Sequence, residues 1–508
     1  MMHIKDKKYE VIVQAGGRGS RLRHYTWNKP KCLVSYEGKP VIFHLFEQFK
    51  SSNFHIVADY QIDKIKKYFK INTPNVNYKI YKTNKKGTCA GIKSALENIN
   101  KKKELIILWS DLIIDKLPVF TKNPSIVTTS SFTCRWSIKK NKMIEEPSTN
   151  NGIPGIFYFK NKTILNKIPV SGEFVKWCSH NFKKFHSIQV NSLKELGDFS
   201  TIENSYEKIG YGRYFNNIKI GKTHVIKKSI DKNYNHLIKK EQHWYSEVSK
   251  LGYKDIPKVY SINPFKMEKI NGNHLFELKD LNTNKFCKIV ENILSSLENL
   301  HSKKEEQSII NDLQEVYIKK TMDRLNSVSK IIPNFSTVES FTINGKKCKN
   351  YLHKKNIKIF KDINKLLYNP SFNPIHGDPT LSNILIKKNL SPKFFDPRGY
   401  FANNANIMGD KYYDFSKLYY SLIGNYDHFN RRKFKLYADN YSVEIMMDKI
   451  YPKGSEDLFN SHFKSKIINI KIIHALIWLS LSGYVKDDID SILASFYNGI
   501  YWMNMALD

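Results

Sequence analysis

The stretch VIVQAGGRGSRL, residues 11–22, constrains the fold more than any other part of the chain. An apolar run of one strand's length ends at Ala15. Three glycines follow within four residues, Gly16, Gly17 and Gly19, and then Ser20 and Arg21. Glycines at such a turn let backbone N–H groups approach anionic oxygens closely, so the pattern reads as a phosphate-holding turn after a strand. It is not a P-loop, because no Lys-Ser/Thr pair closes it, and it is not GxGxxG. Strand-like runs (YEVIVQA, FHIVADY, ELIILWSDLII) alternate with helix-like ones (VIFHLFEQFKSS, QIDKIKKYFK) through the N-terminal part of the chain. That alternation predicts an α/β domain on a parallel or mixed sheet.

A chain of 508 residues is too long for one core, and its texture changes near Glu207–Gly210. There, short strand candidates (RYFNNIKIG, THVIKKSI) precede a long charged helix, NYNHLIKKEQHWYSEVSKLG. Beyond Asn282 the sequence reads as mostly helical, broken by NPSFNPIHGDP. Two domains are therefore expected, residues 1–207 and 208–508. The formal charge of +35 invites a nucleic-acid reading, but the lysines are spread along the whole chain and no basic run is interleaved with aromatics. No dedicated nucleic-acid surface is expected. Ile472 to Ser482 is short and carries a histidine and two serines, so it reads as a buried helix and not a membrane span. The charged start MMHIKDKKYE lacks the apolar core of a signal peptide. Six scattered cysteines without a CxxC pair point to reduced thiols in a cytoplasm. Oligomeric state stays open.

The strand, the GGxGSRL turn and Lys29-Pro30-Lys31 together resemble the signature of the sugar-phosphate and phosphocholine nucleotidyltransferases, over residues 8–207. The resemblance implies a Rossmann-like α/β fold with trimmed loops. It also implies that Ala15, Gly16, Gly17, Gly19 and Ser20 wrap a triphosphate while Arg21 and Lys31 neutralise it. Positioned cations suit in-line attack on an α-phosphorus, which builds charge on the phosphoryl oxygens and the leaving pyrophosphate. Lys86-Gly87-Thr88-Cys89-Ala90-Gly91 resembles the family's GTAG turn, which implies base contacts from Gly87 and Thr88. Asp111, at the end of LIILWSDLII, stands where the family holds a Mg²⁺ ligand, and Asp198, in ELGDFSTIEN, where it holds the second. Two such carboxylates would clamp Mg²⁺ between nucleotide and acceptor phosphate. GIPGIFYF at residues 152–159, after Glu145-Glu146-Pro147, resembles the segment lining the acceptor pocket and points to Glu146 and Gly155. Cys32 after Lys31 is closer to the phosphocholine-type enzymes than to uridylyl or thymidylyl ones, so CTP is the expected nucleotide.

In the second half, NPIHGDPTLSNILI precedes KFFDPRG. Asp378 and Asn383 keep the Asp-x4-Asn spacing of a kinase catalytic loop, and Asp396 lies downstream. In such a loop the first aspartate faces the acceptor hydroxyl while the asparagine and second aspartate converge on Mg²⁺ at the ATP phosphates. His376-Gly377-Asp378 resembles the aminoglycoside phosphotransferase and choline kinase group, which implies a two-lobed α+β, protein-kinase-like domain. Upstream, THVIKK offers Lys227 as the phosphate-binding lysine, or Lys228 if the register shifts by one. Glu241 reads either as its ion-pair partner or as an exposed helix carboxylate. Met267 and Glu268 resemble the hinge that hydrogen-bonds adenine, Leu300-His301 matches the end of a C-lobe helix, and Asp414 would brace the catalytic loop. Choline kinases carry an aromatic, acidic motif at the metal aspartate. Here Arg398 stands beside it and would repel a cationic acceptor, favouring a neutral or anionic one.

The two resemblances imply consecutive steps. A small alcohol would be phosphorylated with ATP, and its phosphate coupled to CTP, giving a CDP-activated donor of the kind used for bacterial surface polysaccharides such as capsule. Two alternatives stand beside this. One is an anomeric sugar kinase joined to a uridylyl- or thymidylyltransferase that makes an NDP-sugar. The other is a kinase with a regulatory nucleotide-binding N-terminal module.

Overall fold

In the computed structural model, which describes residues 7–83, 85–117, 119–207, 216–279, 281–402, 406–448, 450–452 and 454–508, the first apolar run forms strand β1 (Glu10–Gln14). Along the chain follow β2 (Asn53–Val57), β3 (Asn77–Tyr81), β4 (Leu105–Trp109), the short β5 (Leu112–Ile114), β6 (Ser125–Thr128), β7 (Ile156–Phe159), β8 (His186–Gln189) and the short β9 (Leu193–Glu195). All but β5 and β9 make one seven-stranded sheet in the order β8–β6–β7–β4–β1–β2–β3. β1 pairs in parallel with β2 and β4, whereas β7 runs antiparallel between β4 and β6, so the sheet is mixed. Val11, Ile12 and Val13 are fully buried, as a strand covered on both faces requires. Helices α1 (Val41–Gln48), α2 (Ile62–Ile71), α3 (Thr88–Glu97), α4 (Phe174–Asn181) and α5 (Phe199–Glu207) connect or follow these strands. Ile12, Val57, Ile92, Ile107, Phe157 and Phe174 belong to one apolar core under the sheet.

The chain divides into two units, Met1–Lys208 with Val485–Asp490, and Ile209–Tyr484 with Ser491–Asp508. The boundary read from the sequence runs into residues 208–215, which lie outside the described ones. No local sequence signal marks 485–490 as part of the first unit. Tyr68 and Asn72 both donate to the Lys486 carbonyl at 2.6 Å, and Asn28 Nδ2 donates to Asp490 Oδ1 at 3.0 Å.

The second unit opens with four antiparallel strands, β10 (Asn216–Ile220), β11 (His224–Ser229), β12 (Val259–Ser261) and β13 (Phe265–Glu268), in the order β10–β11–β13–β12. Between β11 and β12 lies α6 (Asn235–Lys250). α7 (Thr283–His301) follows, and then a π-helical turn, Glu315–Lys319, leading into α8 (Lys320–Val328). Later come α9 (Lys411–Leu422) and α10 (Ile467–Ser482). The region beyond Asn282 is mostly helical among the described residues, with one addition. Strands Ser340–Ile343, Lys346–Lys349, Lys435–Ala438 and Ser442–Met446 form a second four-stranded sheet, whose sequences of four or five residues are too short to stand out as strands in isolation. By length and composition the helical stretch Ser455–Ser482 is apolar enough to cross a membrane. Its apolar part, α10, is buried nearly all round and packs on α8 and α9, which is what a core helix does.

Candidate active sites

In the first unit the Gly-rich turn leaves β1 and enters a short 3-10 segment, Ser20–Thr26. Ala15 is anchored by its N–H on the Val57 carbonyl at 2.8 Å. Gly19 takes φ +69°, and a Cβ there would sit 3.0 Å from Lys31 Cβ, so only glycine lets the turn lie against the lysine. The Gly19 carbonyl is held by the Leu22 N–H at 2.8 Å and the Thr26 hydroxyl at 3.0 Å. Gly16, Gly17 and Ser20 belong to the same turn.

Lys31 makes an ion pair with Asp111, which follows β4 and is largely buried. β9 lies antiparallel to β5, immediately after Asp111, and the Leu196 N–H bonds the Asp111 carbonyl at 2.8 Å. This brings the ELGD segment beside Asp111. Arg21 Nη2 lies 3.6 Å from Glu195 Oε1, and the Arg23 guanidinium stacks 4.6 Å from the Phe199 ring centroid. The first and last motifs of this unit therefore meet. Glu195, absent from the sequence-derived site, is a member of the cluster. Burial pushes its carboxyl above the usual range, Asp111 and Asp198 push it the same way, and Lys31 and Arg21 oppose them. In the sequence Glu195 ends a strand of only three residues, too short to show an alternation.

Asp198 also has a structural task. Its carboxylate accepts from the Ser200 hydroxyl at 2.6 Å, the Thr201 N–H at 3.0 Å and the Thr201 hydroxyl at 3.0 Å, capping α5. These bonds, the one from Ser200 foremost, hold its pKa below the usual value. Mutually repelling carboxylates are a donor set that suits a hard divalent cation. Among the described residues no group of three or more His, Cys, Asp or Glu is placed to hold a metal alone, so phosphate oxygens would have to complete the shell.

The Gly87–Thr88 turn is tied to a neighbouring loop: Gly172 donates to the Lys86 carbonyl at 3.1 Å and Cys89 to the Gly172 carbonyl at 3.0 Å. Thr88 Oγ1 accepts from the Phe174 N–H at 2.8 Å, leaving its hydroxyl proton available. Gly155 has φ +98° and would place a Cβ 2.7 Å from the Trp109 ring, so the 152–159 segment lies directly on the strand leading to Asp111. Glu146 is exposed and pairs with Lys139 at 3.4 Å, apart from the Lys31–Asp111 group among the described contacts. Cys32 is fully buried, and burial pushes its thiol up to about 12.

In the second unit, Lys227 on β11 is 2% exposed and is held by Glu241 on α6, with Nζ 2.8 and 2.6 Å from the two carboxylate oxygens. It also pairs with Asp396. Glu241 is thus the buried partner and not a surface carboxylate, and Lys228 points to the other face of the strand by alternation. Asp396 sits at φ +56°, a conformation that costs energy for a non-glycine residue and collects at functional sites. Asn383 Nδ2 donates to the Asp378 carbonyl at 2.8 Å, and the Phe395 N–H to the Asn383 carbonyl at 3.0 Å, which ties the two loops together. Lys417 Nζ lies 3.1 Å from Asp378 Oδ1. Asp414 is fully buried under the loop and accepts from the His376 and Gly377 N–H groups, each at 2.7 Å, with His301 Nε2 at 3.1 Å. Arg398 Nη1 donates to the Tyr413 hydroxyl at 2.8 Å.

Met267 and Glu268 lie in β13. The N–H groups of Glu268 and Lys269 are both engaged, by the Lys258 and Thr223 carbonyls at 2.8 and 3.1 Å. An adenine contact at this strand would therefore need other backbone groups than those two donors.

Residues 11–116 match the model of the MobA-like NTP transferase domain. Among curated proteins the chain is similar to the CTP:phosphoglutamine cytidylyltransferase of Campylobacter jejuni, 31% identical over 151 residues that make up 27% of this chain and 60% of that protein. It is also similar to the bifunctional protein GlmU of Methanocaldococcus jannaschii, 29% identical over 116 residues, 22% of this chain and 28% of that one. The chain thus spans 60% of the first relative and 28% of the second, less than two thirds of either. Among solved structures, HddC from Yersinia pseudotuberculosis complexed with GMP-PN aligns over 39% of this chain and 99% of its own, at 20% identity and a TM-score of 0.33.

Proposed function

We propose that the protein is bifunctional: the second unit phosphorylates a small alcohol with ATP, and the first couples the resulting phosphate to CTP, releasing pyrophosphate. The observation that supports this reading is that each unit holds a largely buried lysine paired with carboxylates beside a candidate phosphate-binding loop. Lys31 is paired with Asp111 beside the Gly-rich turn, and Lys227 is held by Glu241 and Asp396 beside the Asp378–Asn383 loop. A kinase makes the phosphomonoester that such a transferase consumes. The name of the Campylobacter relative, a cytidylyltransferase acting on a phosphorylated small molecule, supports CTP as the nucleotide.

In the first step the alcohol oxygen bonds to the γ-phosphorus of ATP, its proton passes to Asp378, and the bond to ADP breaks. Lys417, 3.1 Å from Asp378 Oδ1, would hold that carboxylate in place. Lys227 would hold the ATP phosphates, with Glu241 fixing its position. In the second step an oxygen of the new phosphate attacks the α-phosphorus of CTP, and the bond to pyrophosphate breaks. No base is needed, because that oxygen is already ionised near neutral pH. Arg21 and Lys31 would neutralise the developing charge. Mg²⁺, held by Asp111 with Glu195 or Asp198 in the first unit and by Asn383 and Asp396 in the second, would supply charge stabilisation at the phosphates. The CDP-linked product would serve surface polysaccharide synthesis.

The test is a set of one-pot reactions with ATP, CTP, Mg²⁺ and a panel of alcohols, read by mass spectrometry. A CDP-linked mass that requires both nucleotides is the expected result. Asp378→Asn should remove it while sparing transfer from a supplied phosphate, and Asp111→Asn should leave the phosphorylated alcohol to accumulate. Turnover of a free sugar with UTP or dTTP would move the reading to an NDP-sugar enzyme. Nucleotide binding without pyrophosphate release would leave the first unit a regulatory module.

A further inference from the structure

Positive charge crowds the surroundings of Asp378. Tyr413, on α9, has three cations near its ring. Lys320 Nζ lies 5.7 Å, Lys417 Nζ 6.0 Å and the Arg398 guanidinium carbon 6.0 Å from the ring centroid. A fourth, Arg324, lies one turn beyond Lys320 on α8, where it donates to Ser480 Oγ at 3.1 Å and covers the Tyr484 ring at 5.4 Å. Lys417 is paired with Asp378. Among the described residues no carboxylate stands within ion-pair distance of Lys320, Arg324 or Arg398. The carboxylates that act on this group are already engaged: Glu315, which partly offsets Lys320, pairs with Lys319 at 2.9 Å, and Asp378, which attracts Arg398, lies 3.1 Å from Lys417.

All four cations remain partly exposed, so a solute can reach them. Lys320, Arg324 and Arg398 are nevertheless largely withdrawn from water, and Arg398 repels the other two. Burial pulls the Lys320 ammonium well below its usual range, and Arg398, Arg324 and Lys417 pull it further. Arg324 is lowered too, by burial and then by Arg398. Contacts with the tyrosine rings offset only part of the cost of crowding these charges together away from water. Like charges held together in this way mark a site that an anion completes. The π-helical turn Glu315–Lys319, directly before Lys320, is the kind of bulge that collects at functional sites.

We propose that the alcohol phosphorylated at Asp378 carries an anionic group, a carboxylate or a phosphate ester, bound by Lys320, Arg324 and Arg398. The inference rests on the kinase reading of the second unit and narrows its substrate class. The anionic group takes no part in bond making. The hydroxyl oxygen bonds to the γ-phosphorus, the proton goes to Asp378 and ADP leaves. The group's task is to hold the hydroxyl in line. Arg398 is bonded to Tyr413 on α9, the helix that also carries Lys417 against Asp378 and Asp414 under the loop, so anion site and base share one support.

Two measurements on the full chain test this. Calorimetric titration with inorganic phosphate and, separately, with malonate should show a site that Lys320→Met and Arg324→Gln each weaken about tenfold or more, and that Lys31→Ala leaves in place. Arg324→Lys should restore part of the loss, and unchanged melting temperatures will show that the variants are folded. Equal anion binding by wild type and folded variants would overturn the inference. The second measurement is ADP release with glycerol, glycerate, glycerol 3-phosphate and choline. Glycerate or glycerol 3-phosphate should exceed glycerol in kcat/KM by roughly 100-fold, the responding arm telling carboxylate from phosphate. The variants should raise KM with little change in kcat. Choline or glycerol turned over as well as the anionic alcohols would overturn this inference and leave the kinase reading standing. ATP binding indifferent to Lys227→Ala would remove the kinase reading itself.

Discussion

Lys227 and Asp198 show how far a side chain's neighbours define its task. Lys227 and Glu241 are each 2% exposed, and Asp396 completes a buried trio. Removing one member of a buried charge group leaves the others uncompensated, at a cost of about 3–5 kcal/mol. Glu241→Gln should fall at the low end, since Lys227 keeps Asp396 and glutamine keeps a hydrogen bond. A melting curve that drops together with ATP-dependent phosphorylation is the expected outcome. Asp198 has a cap's bonds and, in the proposed reading, a metal ligand's task, and the two can be separated. Asparagine caps as well as aspartate does. Asp198→Asn should therefore keep the melting temperature while nucleotidyl transfer falls at least tenfold, whereas an equally active Asp198→Asn would leave only the cap. Glu195→Gln should lower transfer without touching α5.

At the scale of elements, the row Glu10, His55 and Tyr81 links the neighbouring strands β1, β2 and β3. His55 lies 2.7 Å from Glu10 Oε2 and 2.9 Å from the Tyr81 hydroxyl, and Asn53 donates to Glu10 Oε1 at 2.9 Å. Burial would raise the Glu10 carboxyl, but the bonds from His55 and Asn53 outweigh it and hold the carboxyl below its usual value. A depressed carboxylate stabilises the fold above its unfolded pKa and loses that contribution as pH falls through the folded value. The stability gap between wild type and Glu10→Gln should accordingly narrow between pH 6 and pH 3.5. A gap that stays constant would mean that Glu10 contributes by packing alone. Strands such as β1, β2 and β4 were legible because each is an apolar run ended by a turn. The pairing of β9 with β5 was not, since it joins residues some eighty positions apart through two short segments with no period of their own. That pairing is what sets Glu195 beside Asp111, so the missed carboxylate and the missed strand have one cause. The second sheet of the C-terminal unit was hidden for a related reason: strands such as KKCK carry charge on every outward position and one buried residue, Cys348. By contrast, Asp378, Asn383 and Asp396 stand close together in the sequence and could be singled out by their spacing, whereas the ion pairs that join Lys227 to Glu241 and Asp396 appear only in the structure.

At the scale of the whole chain, the first unit is not a continuous stretch. Residues Val485–Asp490 belong to it, and they bring Asp488 and Asp490 to Lys29, the first lysine of the Lys29-Pro30-Lys31 segment. The Lys29 side chain is 1% exposed. Burial would lower its pKa, yet the two carboxylates raise it, so it stays charged. A fragment ending at residue 208 keeps Lys29 but loses both partners, together with the Lys486 carbonyl that Tyr68 and Asn72 bond. An unpaired ammonium at that depth costs about 3–5 kcal/mol, a large part of a domain's stability. Residues 1–208 expressed alone should therefore melt well below the first unit of the full chain or aggregate. Adding Lys29→Met to the fragment should recover much of the loss, because the buried charge is gone. In the full chain the same substitution should do the opposite, since it strands Asp488 and Asp490. Opposite signs for one substitution in fragment and full chain would establish that segment 485–490 is an integral part of the nucleotide-binding unit. Equal signs would mean that the N-terminal residues fold without it.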